Sequence, residues 1–226
     1  MRGAPVTIRF FFDVISPYAY LGWTQIHALA ERTGAVVVPE AVLFAAMLNH
    51  HGNKGPAEIA PKRIYLFKDV LRRAHRLGVP FAAPPHHPFN PLTAMRVASL
   101  PLPEESRRRL IDGLFAAVWG GGEGLESPEA VARVATAVGL DGAALVAEAQ
   151  TAEAKARLRE RSDAAIQQGV FGVPTMVVGD ELFWGADALV EVEAYLRGED
   201  PLQQEGGAAA LSRWVETTPS ARRTPG

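Results

Sequence analysis

Strand-forming residues are confined to the two ends of this chain, and a long stretch of helical character separates them. The β-branched and aromatic side chains predict four strands, over residues 5–12, 35–42, 175–178 and 181–184. Helical periodicity follows the first strand at 17–33 and the last at 187–197. The order is therefore βαβ, a helical block, and then ββα. Because each end holds half a sheet, the two ends must combine into one sheet with the helical block inserted.

The helical block carries start and stop signals for several helices, and its clearest stop is Gly120-Gly121-Gly122. Helices are predicted over 61–77, from near Asn90, from near Glu104 to Trp119, from Ser127 to Val138, after Asp141 and over 152–168. We therefore predict three regions. They are a discontinuous α/β domain of residues 1–42 and 170–198, an inserted all-helical domain of residues 43–169, and a loosely held C-terminal tail of residues 199–226.

The helix predicted over 61–77 has two contrasting faces. Its apolar residues recur at helical spacing and are Ile64, Phe67, Val70, Leu71, Ala74 and Leu77. Its opposite face is basic and carries Lys62, Arg63, Lys68, Arg72, Arg73 and Arg76. This pattern predicts an amphipathic helix that packs through its apolar face.

Ser16 lies at the junction between the first strand and the first helix. It occupies the position of a helix N-cap, and Pro17 occupies the first turn. Backbone N–H groups and the positive end of the helix dipole meet at such a junction, so an anion such as a thiolate is stabilised nearby. The alternative is that Ser16 is a helix cap and nothing more.

The chain contains no cysteine. This excludes disulfides, thiolate metal sites and any protein thiol as a nucleophile or redox centre. Any sulfur chemistry must therefore use a sulfur atom from a ligand. The formal net charge of −2 gives no electrostatic reason to expect nucleic acid or a membrane surface as partner, and no apolar run is long enough for a membrane span. No signal peptide is recognisable, so a cytoplasmic location is expected.

A proline precedes the third predicted strand, in the run Phe171-Gly172-Val173-Pro174-Thr175. In a thioredoxin-like fold, which has this order of elements, a cis-proline loop occupies that place. A cis bond between Val173 and Pro174 would expose the backbone N–H and C=O of Val173. These groups could pair with an extended peptide in the manner of an added strand.

Four motifs in register resemble one known family. They are Phe12-Asp13-Val14-Ile15-Ser16-Pro17-Tyr18 with Leu21-Gly22, Gly52-Asn53-Lys54-Gly55-Pro56 through Pro61-Lys62, Phe171-Gly172-Val173-Pro174-Thr175, and Phe183-Trp184-Gly185-Ala186-Asp187. With these motifs the chain resembles the kappa-class glutathione transferases and the bacterial 2-hydroxychromene-2-carboxylate isomerases, which are relatives of the DsbA oxidoreductases. The resemblance covers roughly residues 5–198. It implies an α/β, thioredoxin-like fold (βαβ plus ββα) with a large inserted helical domain.

The resemblance also implies a role for Ser16. DsbA-like oxidoreductases carry two cysteines at the strand–helix junction, and here Ser16 and Ala19 stand in their places. A hydroxyl cannot exchange disulfides, but it can donate a hydrogen bond to an incoming thiolate and so lower the pKa of that thiol. The thiol that the resemblance implies is glutathione, held as an extended peptide at Val173 and Pro174.

Further glutathione contacts are implied for Asn53, Lys62 and Asp187. Lys62 would pair with the glycyl carboxylate, although it is also one of many charges on a basic helix. Asn53 could instead serve only the turn in which it lies. Asp187 would bind the γ-glutamyl amino group, and its alternative is an N-cap for the last helix. The family often has arginine after this aspartate, whereas Ala188 follows it here, so the γ-glutamyl carboxylate has one partner fewer.

A second-substrate pocket is expected in the helical domain, lined by Tyr65, Asn90 and Trp119. Core packing or capping is the alternative role of each. No metal site is predicted, because the histidine pairs at 50–51 and 86–87 are adjacent and lack helical ligand spacing.

Three functions follow as hypotheses. The first is a glutathione-dependent isomerase of the 2-hydroxychromene-2-carboxylate isomerase type, acting in aromatic-compound catabolism on a small aromatic or electrophilic substrate. The second is a kappa-like transferase that conjugates glutathione to electrophiles. The third is a redox-inactive thioredoxin-like module that only docks peptides. A homodimer is expected by the same resemblance.

Overall fold

The computed structural model describes residues 4–217, and within them the two ends of the chain form one sheet. Its strands are β1 (Thr7–Phe12), β2 (Val36–Ala41), β3 (Thr175–Val178) and β4 (Glu181–Trp184). The strand order is β2-β1-β3-β4, with β2 parallel to β1, β3 antiparallel to β1, and β4 antiparallel to β3. The predicted combination of the two ends is therefore confirmed.

Helices account for most of the remaining described chain. They are α1 (Pro17–Thr33), α2 (Phe44–His50), α3 (Ala60–Leu77), α4 (Leu92–Ser99), α5 (Glu104–Trp119), α6 (Pro128–Ala137), α7 (Gly142–Glu148), α8 (Ala152–Gln167), α9 (Leu189–Leu196) and α10 (Gly207–Val215). Short 3-10 helices cover Pro56–Glu58 and Ala186–Ala188. Among residues 4–217, no helix combines the length and the apolar character needed to cross a membrane.

The central strand β1 is buried on both faces, as its run of phenylalanines predicts. On one face, the Phe12 ring lies 6.1 Å from that of Trp23 in α1 and 5.7 Å from that of Phe115 in α5. On the other face, Phe11 belongs to a smaller buried cluster with Met47 of α2. Helices from the middle of the chain therefore cover the same strand that leads into Ser16.

The buried face of α3 agrees only in part with the predicted one, which included Val70 and Ala74. Leu66, Val70 and Ala74 are buried, at the i, i+4 spacing that aligns residues along one side of a helix. Ile64 and Leu71, which were expected in the apolar face, are 57% and 56% exposed. Ile64 is two residues from Leu66 and therefore points to nearly the opposite side of the helix.

The predicted C-terminal tail is not wholly irregular, because α10 forms within it. Ala209 and Ala210 belong to an alanine run in this helix, and alanine has the highest helix propensity of any residue. The high helix propensity of alanine thus explains α10, which the glycines and prolines nearby did not predict. Trp214 of α10 is 80% exposed. Residues 218–226 of the predicted tail, like residues 1–3, lie outside the described part of the chain.

Candidate functional site

Ser16 caps α1 and also contacts the proline loop. Its Oγ accepts a hydrogen bond from the Ala19 N–H at 3.2 Å. The same hydroxyl donates to the carbonyl oxygen of Val173 at 3.3 Å. The cap is therefore present, but it leaves the hydroxyl proton directed at a second segment of the chain. Ser16 is 8% exposed.

The proline loop faces this junction. The Val173–Pro174 peptide bond is cis, as the sequence predicts. The Val173 carbonyl is engaged by Ser16, whereas the Val173 N–H makes no hydrogen bond to any residue from 4 to 217. One of the two Val173 backbone groups expected to be free is thus already used. The loop is joined to the segment after β4 by a bond from the Gly185 N–H to the Pro174 carbonyl, at 2.9 Å.

Asp13 fixes the turn that carries the chain from β1 to Ser16. It is 1% exposed, and its two carboxylate oxygens accept the N–H groups of Ile15 at 3.1 Å and Phe44 at 3.0 Å. Burial raises the pKa of Asp13 to about 6, and the two N–H groups oppose the shift because they favour the charged form. The sequence pattern did not identify Asp13 as the residue that links the turn to α2.

Trp119 lies behind the same turn. Its indole N–H donates to the Val14 carbonyl at 2.9 Å, and its ring stacks on Phe81 at 5.9 Å between centroids. The side chain is fully buried. Trp119 therefore supports the turn from within the core. Its expected place in a substrate pocket receives no support from this position.

A cleft of about 350 Å³ opens beside the junction and brings together two of the predicted site residues. Lys62 and Tyr65 line it from α3, and Tyr18 lines it from α1. Tyr18 is two residues from Ser16, although Ser16 itself does not line the cleft. The side chain of Tyr65 is 63% exposed. The remaining lining residues are Pro56, Pro61 and Leu66.

The two predicted asparagines occupy different places. Asn53 is exposed, and the left-handed residue of its turn is Gly52, with a φ of 63°. The turn therefore does not depend on Asn53 for that conformation, which leaves the side chain free for other contacts. Asn90 is also exposed, and its side-chain oxygen accepts the Leu92 N–H at 3.0 Å at the start of α4. Asn90 does not line the cleft.

Asp187 is not a helix cap. It lies within the 3-10 turn, and the helix that follows begins at Leu189 without a side-chain cap. Its side chain is 70% exposed. Space for the carboxylate depends on Gly185, which has a φ of 101°, and a Cβ there would lie 2.6 Å from Asp187 Oδ1. The alternative role considered for Asp187, an N-cap for the last helix, is therefore wrong.

An arginine that the sequence did not distinguish lies next to Asp187. Arg73 Nη1 is 3.8 Å from Asp187 Oδ1, and Arg73 Nε is 2.8 Å from Asp69 Oδ2. The Tyr18 hydroxyl donates to the same oxygen of Asp69 at 2.9 Å. Burial, and then the bond to Asp69, raises the pKa of Tyr18 far above its usual range. The sequence did contain a signal for the Asp69–Arg73 pair, because Asp69 is the only acidic residue in α3 and precedes Arg73 by four residues.

These groups can stabilise a ligand anion next to Ser16. The junction offers a hydroxyl, a free backbone N–H at Val173 and a helix N-terminus, and each favours negative charge. A separate cavity of about 920 Å³ lies elsewhere, lined in part by His27, Glu31 and Arg108, and it contains none of the junction residues. No group of three histidine, aspartate or glutamate side chains that could hold a metal ion occurs between residues 4 and 217.

A mixed sheet whose cis-proline loop faces the N-terminus of the first helix defines the thioredoxin class of folds. Within that class, the family model of the DSBA-like thioredoxin domain matches residues 7–197, and the chain belongs to this family.

Two curated relatives and one solved structure extend the comparison. The 2-hydroxychromene-2-carboxylate isomerase of Sphingobium xenophagum is 32% identical over 198 residues, which cover 84% of this chain and 97% of that protein. The protein named glutathione S-transferase kappa 2 of Caenorhabditis elegans is 32% identical over 210 residues, which cover 84% of this chain and 91% of that protein. A solved structure of 2-hydroxychromene-2-carboxylate isomerase superposes with a TM-score of 0.77 at 29% identity, covering 93% of this chain and all of that one.

Proposed function

We propose that this chain is a glutathione-dependent isomerase that acts on a 2-hydroxychromene-2-carboxylate or a related aromatic intermediate. The observation that carries the proposal is the hydroxyl of Ser16, held at a helix N-terminus against the proline loop in a chain without cysteine. Such a site can activate a thiol but cannot supply one. The similarity to the Sphingobium xenophagum isomerase, which extends over 97% of that protein, supports the choice of reaction.

Ser16 is the proposed activating group. Its bond to the Val173 carbonyl is 3.3 Å long, whereas O–H···O bonds cluster at about 2.7–2.8 Å. A weak bond is easily exchanged for a stronger one, and an arriving thiolate is a charged acceptor. The hydroxyl would then turn from Val173 to the sulfur and keep its cap on Ala19. Stabilising the charged form lowers the pKa of the bound thiol below its free value of about 8.5.

Glutathione is proposed to lie along the proline loop as an extended peptide. The Val173 N–H, which has no partner among residues 4–217, would donate to its cysteinyl backbone. Lys62 would pair with the glycyl carboxylate, and the exposed Asn53 would contact the same end of the tripeptide. Asp187 would accept the γ-glutamyl ammonium group. The aromatic substrate would enter the cleft between Tyr18 and Tyr65, next to the sulfur.

The proposed reaction is covalent catalysis with a borrowed nucleophile. The thiolate adds to an electron-poor carbon of the substrate, and the C=C bond becomes a single bond as the C–S bond forms. Rotation about that single bond changes the geometry. Elimination then breaks the C–S bond, restores the double bond and returns the thiolate. Transferase activity is the second candidate, supported by the similarity to the kappa-class relative, and it would result if the C–S bond persisted.

The test compares Ser16→Ala with Ser127→Ala. Ser127 is a matched control, because it also precedes a proline and caps a helix, accepting the Ala130 N–H at 3.2 Å. Both variants should lose about 0.5–2 kcal/mol of stability with the cap. Only Ser16→Ala should raise the pKa of bound glutathione, by about 1–2 units, since a hydrogen bond to a charged group contributes roughly 1.5–3 kcal/mol.

The measurement is the ultraviolet absorbance of the thiolate, titrated against pH at saturating glutathione. An unchanged titration in folded Ser16→Ala would contradict the proposed role of the hydroxyl. Calorimetry tests the broader proposal, because the absence of glutathione binding to the wild-type protein at millimolar concentration would favour the peptide-docking module. Product analysis with a hydroxychromene carboxylate separates isomerisation, which leaves glutathione free, from conjugation, which consumes it.

A further inference from the structure

Arg73 and Asp187 carry opposite charges that lie close together but do not form a short hydrogen-bonded ion pair. Nη1 of Arg73 is 3.8 Å from Oδ1 of Asp187, whereas charge-assisted hydrogen bonds measure about 2.7–2.9 Å. The Asp187 side chain is 70% exposed and that of Arg73 is 26% exposed. Both groups therefore remain accessible to a ligand, side by side.

The guanidinium of Arg73 is positioned by contacts with Asp69 and Tyr18. Its Nε pairs with Asp69 at 2.8 Å, and its guanidinium carbon lies 5.7 Å above the centre of the Tyr18 ring. The Tyr18 hydroxyl holds the same Asp69 oxygen. The distance to Asp69 is given by the inner nitrogen, Nε, and the distance to Asp187 by an outer nitrogen, Nη1. Apart from Asp69 and Asp187, no carboxylate among residues 4–217 lies within ion-pair distance of Arg73.

The pair is joined to the proposed thiol site through short segments of chain. Asp187 is two residues beyond Gly185, whose N–H donates to the Pro174 carbonyl at 2.9 Å. Tyr18, which lies beneath Arg73, is two residues beyond Ser16. Each of the two charges is thus connected to a segment of the junction, Asp187 through Gly185 and Arg73 through Tyr18, and the proposed function places the γ-glutamyl group at Asp187.

We infer that Arg73 binds the α-carboxylate of the γ-glutamyl group, and that Arg73 and Asp187 together recognise a free α-amino acid head group. This inference rests on the proposed function. A guanidinium matches a carboxylate through two parallel N–H donors, and Asp187 matches the ammonium group on the same carbon. Ala188 leaves the segment after β4 without a cation next to Asp187. In this chain, α3 supplies that cation instead.

The test pairs variants with ligands that each lack one charge. γ-Aminobutyryl-cysteinylglycine lacks the α-carboxylate of glutathione, and glutaryl-cysteinylglycine lacks the α-amino group. Arg73→Gln should weaken glutathione binding about tenfold and leave γ-aminobutyryl-cysteinylglycine unaffected, because that ligand has no carboxylate to lose. Asp187→Asn should weaken γ-aminobutyryl-cysteinylglycine and spare glutaryl-cysteinylglycine. Arg72→Gln is the matched control, since it removes the same charge from an exposed position of α3.

Calorimetry on the full chain gives the result. Equal weakening of both ligands by Arg73→Gln would overturn the inference, because it would mean that Arg73 only positions Tyr18. Unchanged glutathione affinity would overturn it as well. Retained binding of γ-aminobutyryl-cysteinylglycine shows that the variant is folded, and Arg73→Lys should restore part of the glutathione affinity. Failure of the wild-type protein to bind glutathione would instead remove the proposed function, and with it this inference.

Discussion

Replacing Asp13 with asparagine should change how stability depends on pH. Asp13 is fully buried and accepts two backbone N–H groups, from Ile15 and Phe44. Burial raises its pKa from 3.8 to about 6, so the folded protein holds a proton that the unfolded chain has released between these two values. Within that window stability falls as pH rises, since the folded state binds more protons than the unfolded state.

The magnitude follows from the shift. About 2 pKa units at 1.36 kcal/mol each give roughly 3 kcal/mol, present in full below pH 3.8 and lost once the pH passes about 6. Asparagine has nearly the same shape but only one acceptor oxygen, so Asp13→Asn leaves one N–H unpaired at a cost of about 1–3 kcal/mol at every pH. The variant should therefore be less stable than wild type at low pH, and the deficit should shrink by about 3 kcal/mol on going to neutral pH.

Urea unfolding of both proteins at a series of pH values between about 4 and 7.5 measures this difference, since the window lies between the two pKa values. Other groups that titrate there, such as His27, are present in both proteins and cancel in the subtraction. Parallel stability curves for the two proteins would refute the buried, partly protonated state of Asp13. A Phe44 variant is not a useful control, because its contribution is a backbone N–H that substitution does not remove.

Three further predictions concern other parts of the molecule. Burial and the charge of Arg108 lower the pKa of His27 to about 4. The stability that neutral His27 contributes above pH 6.5 should therefore be lost as the pH falls towards 4. His27→Phe should reduce that loss in thermal unfolding measured at a series of pH values. Gly185→Ala should weaken glutathione binding measured by calorimetry, because a Cβ would meet Asp187 Oδ1 at 2.6 Å where φ is 101°; unchanged affinity would show that Asp187 does not bind the ligand. Light scattering should give a particle of twice 24.3 kDa, whereas a constant 24.3 kDa would remove the expected homodimer.

Local signals made the strand–helix junction predictable. The start of α1 is indicated by Ser16 and Pro17, and its end is indicated by Gly34. These signals act through backbone groups a few residues away. The cis-proline loop was likewise predictable from its place before β3. The partner of Ser16 was not, because the carbonyl of Val173 is 157 residues distant along the chain, and only the folded sheet determines which of its two backbone groups meets the hydroxyl.

Contacts between elements explain the remaining differences. The apolar positions of α3 fit more than one helical face, and packing selects the line through Val70. Asp187 matched the expected position of a cap, yet it lies inside a 3-10 turn, and α9 begins two residues later at Leu189. Arg73 was one of six basic residues on one helix, and the local feature that distinguishes it from Arg72 is Asp69, four residues earlier. Its significance arises only where α3 packs across Tyr18.

The turn before Ser16 makes three contacts with the helical block. Asp13 binds the N–H at the start of α2, the Val14 N–H contacts the sulfur of Met95 in α4 at 3.4 Å, and the Val14 carbonyl receives Trp119 of α5. All three partners come from the segment between β2 and β3. Because a displacement of well under 1 Å would break the 3.3 Å bond between Ser16 and Val173, the helical block sets the geometry of the junction even where it does not touch the ligand. The proposed activation of a thiol at Ser16 would therefore depend on the whole fold, and the buried Trp119 would contribute to it as a support for Val14.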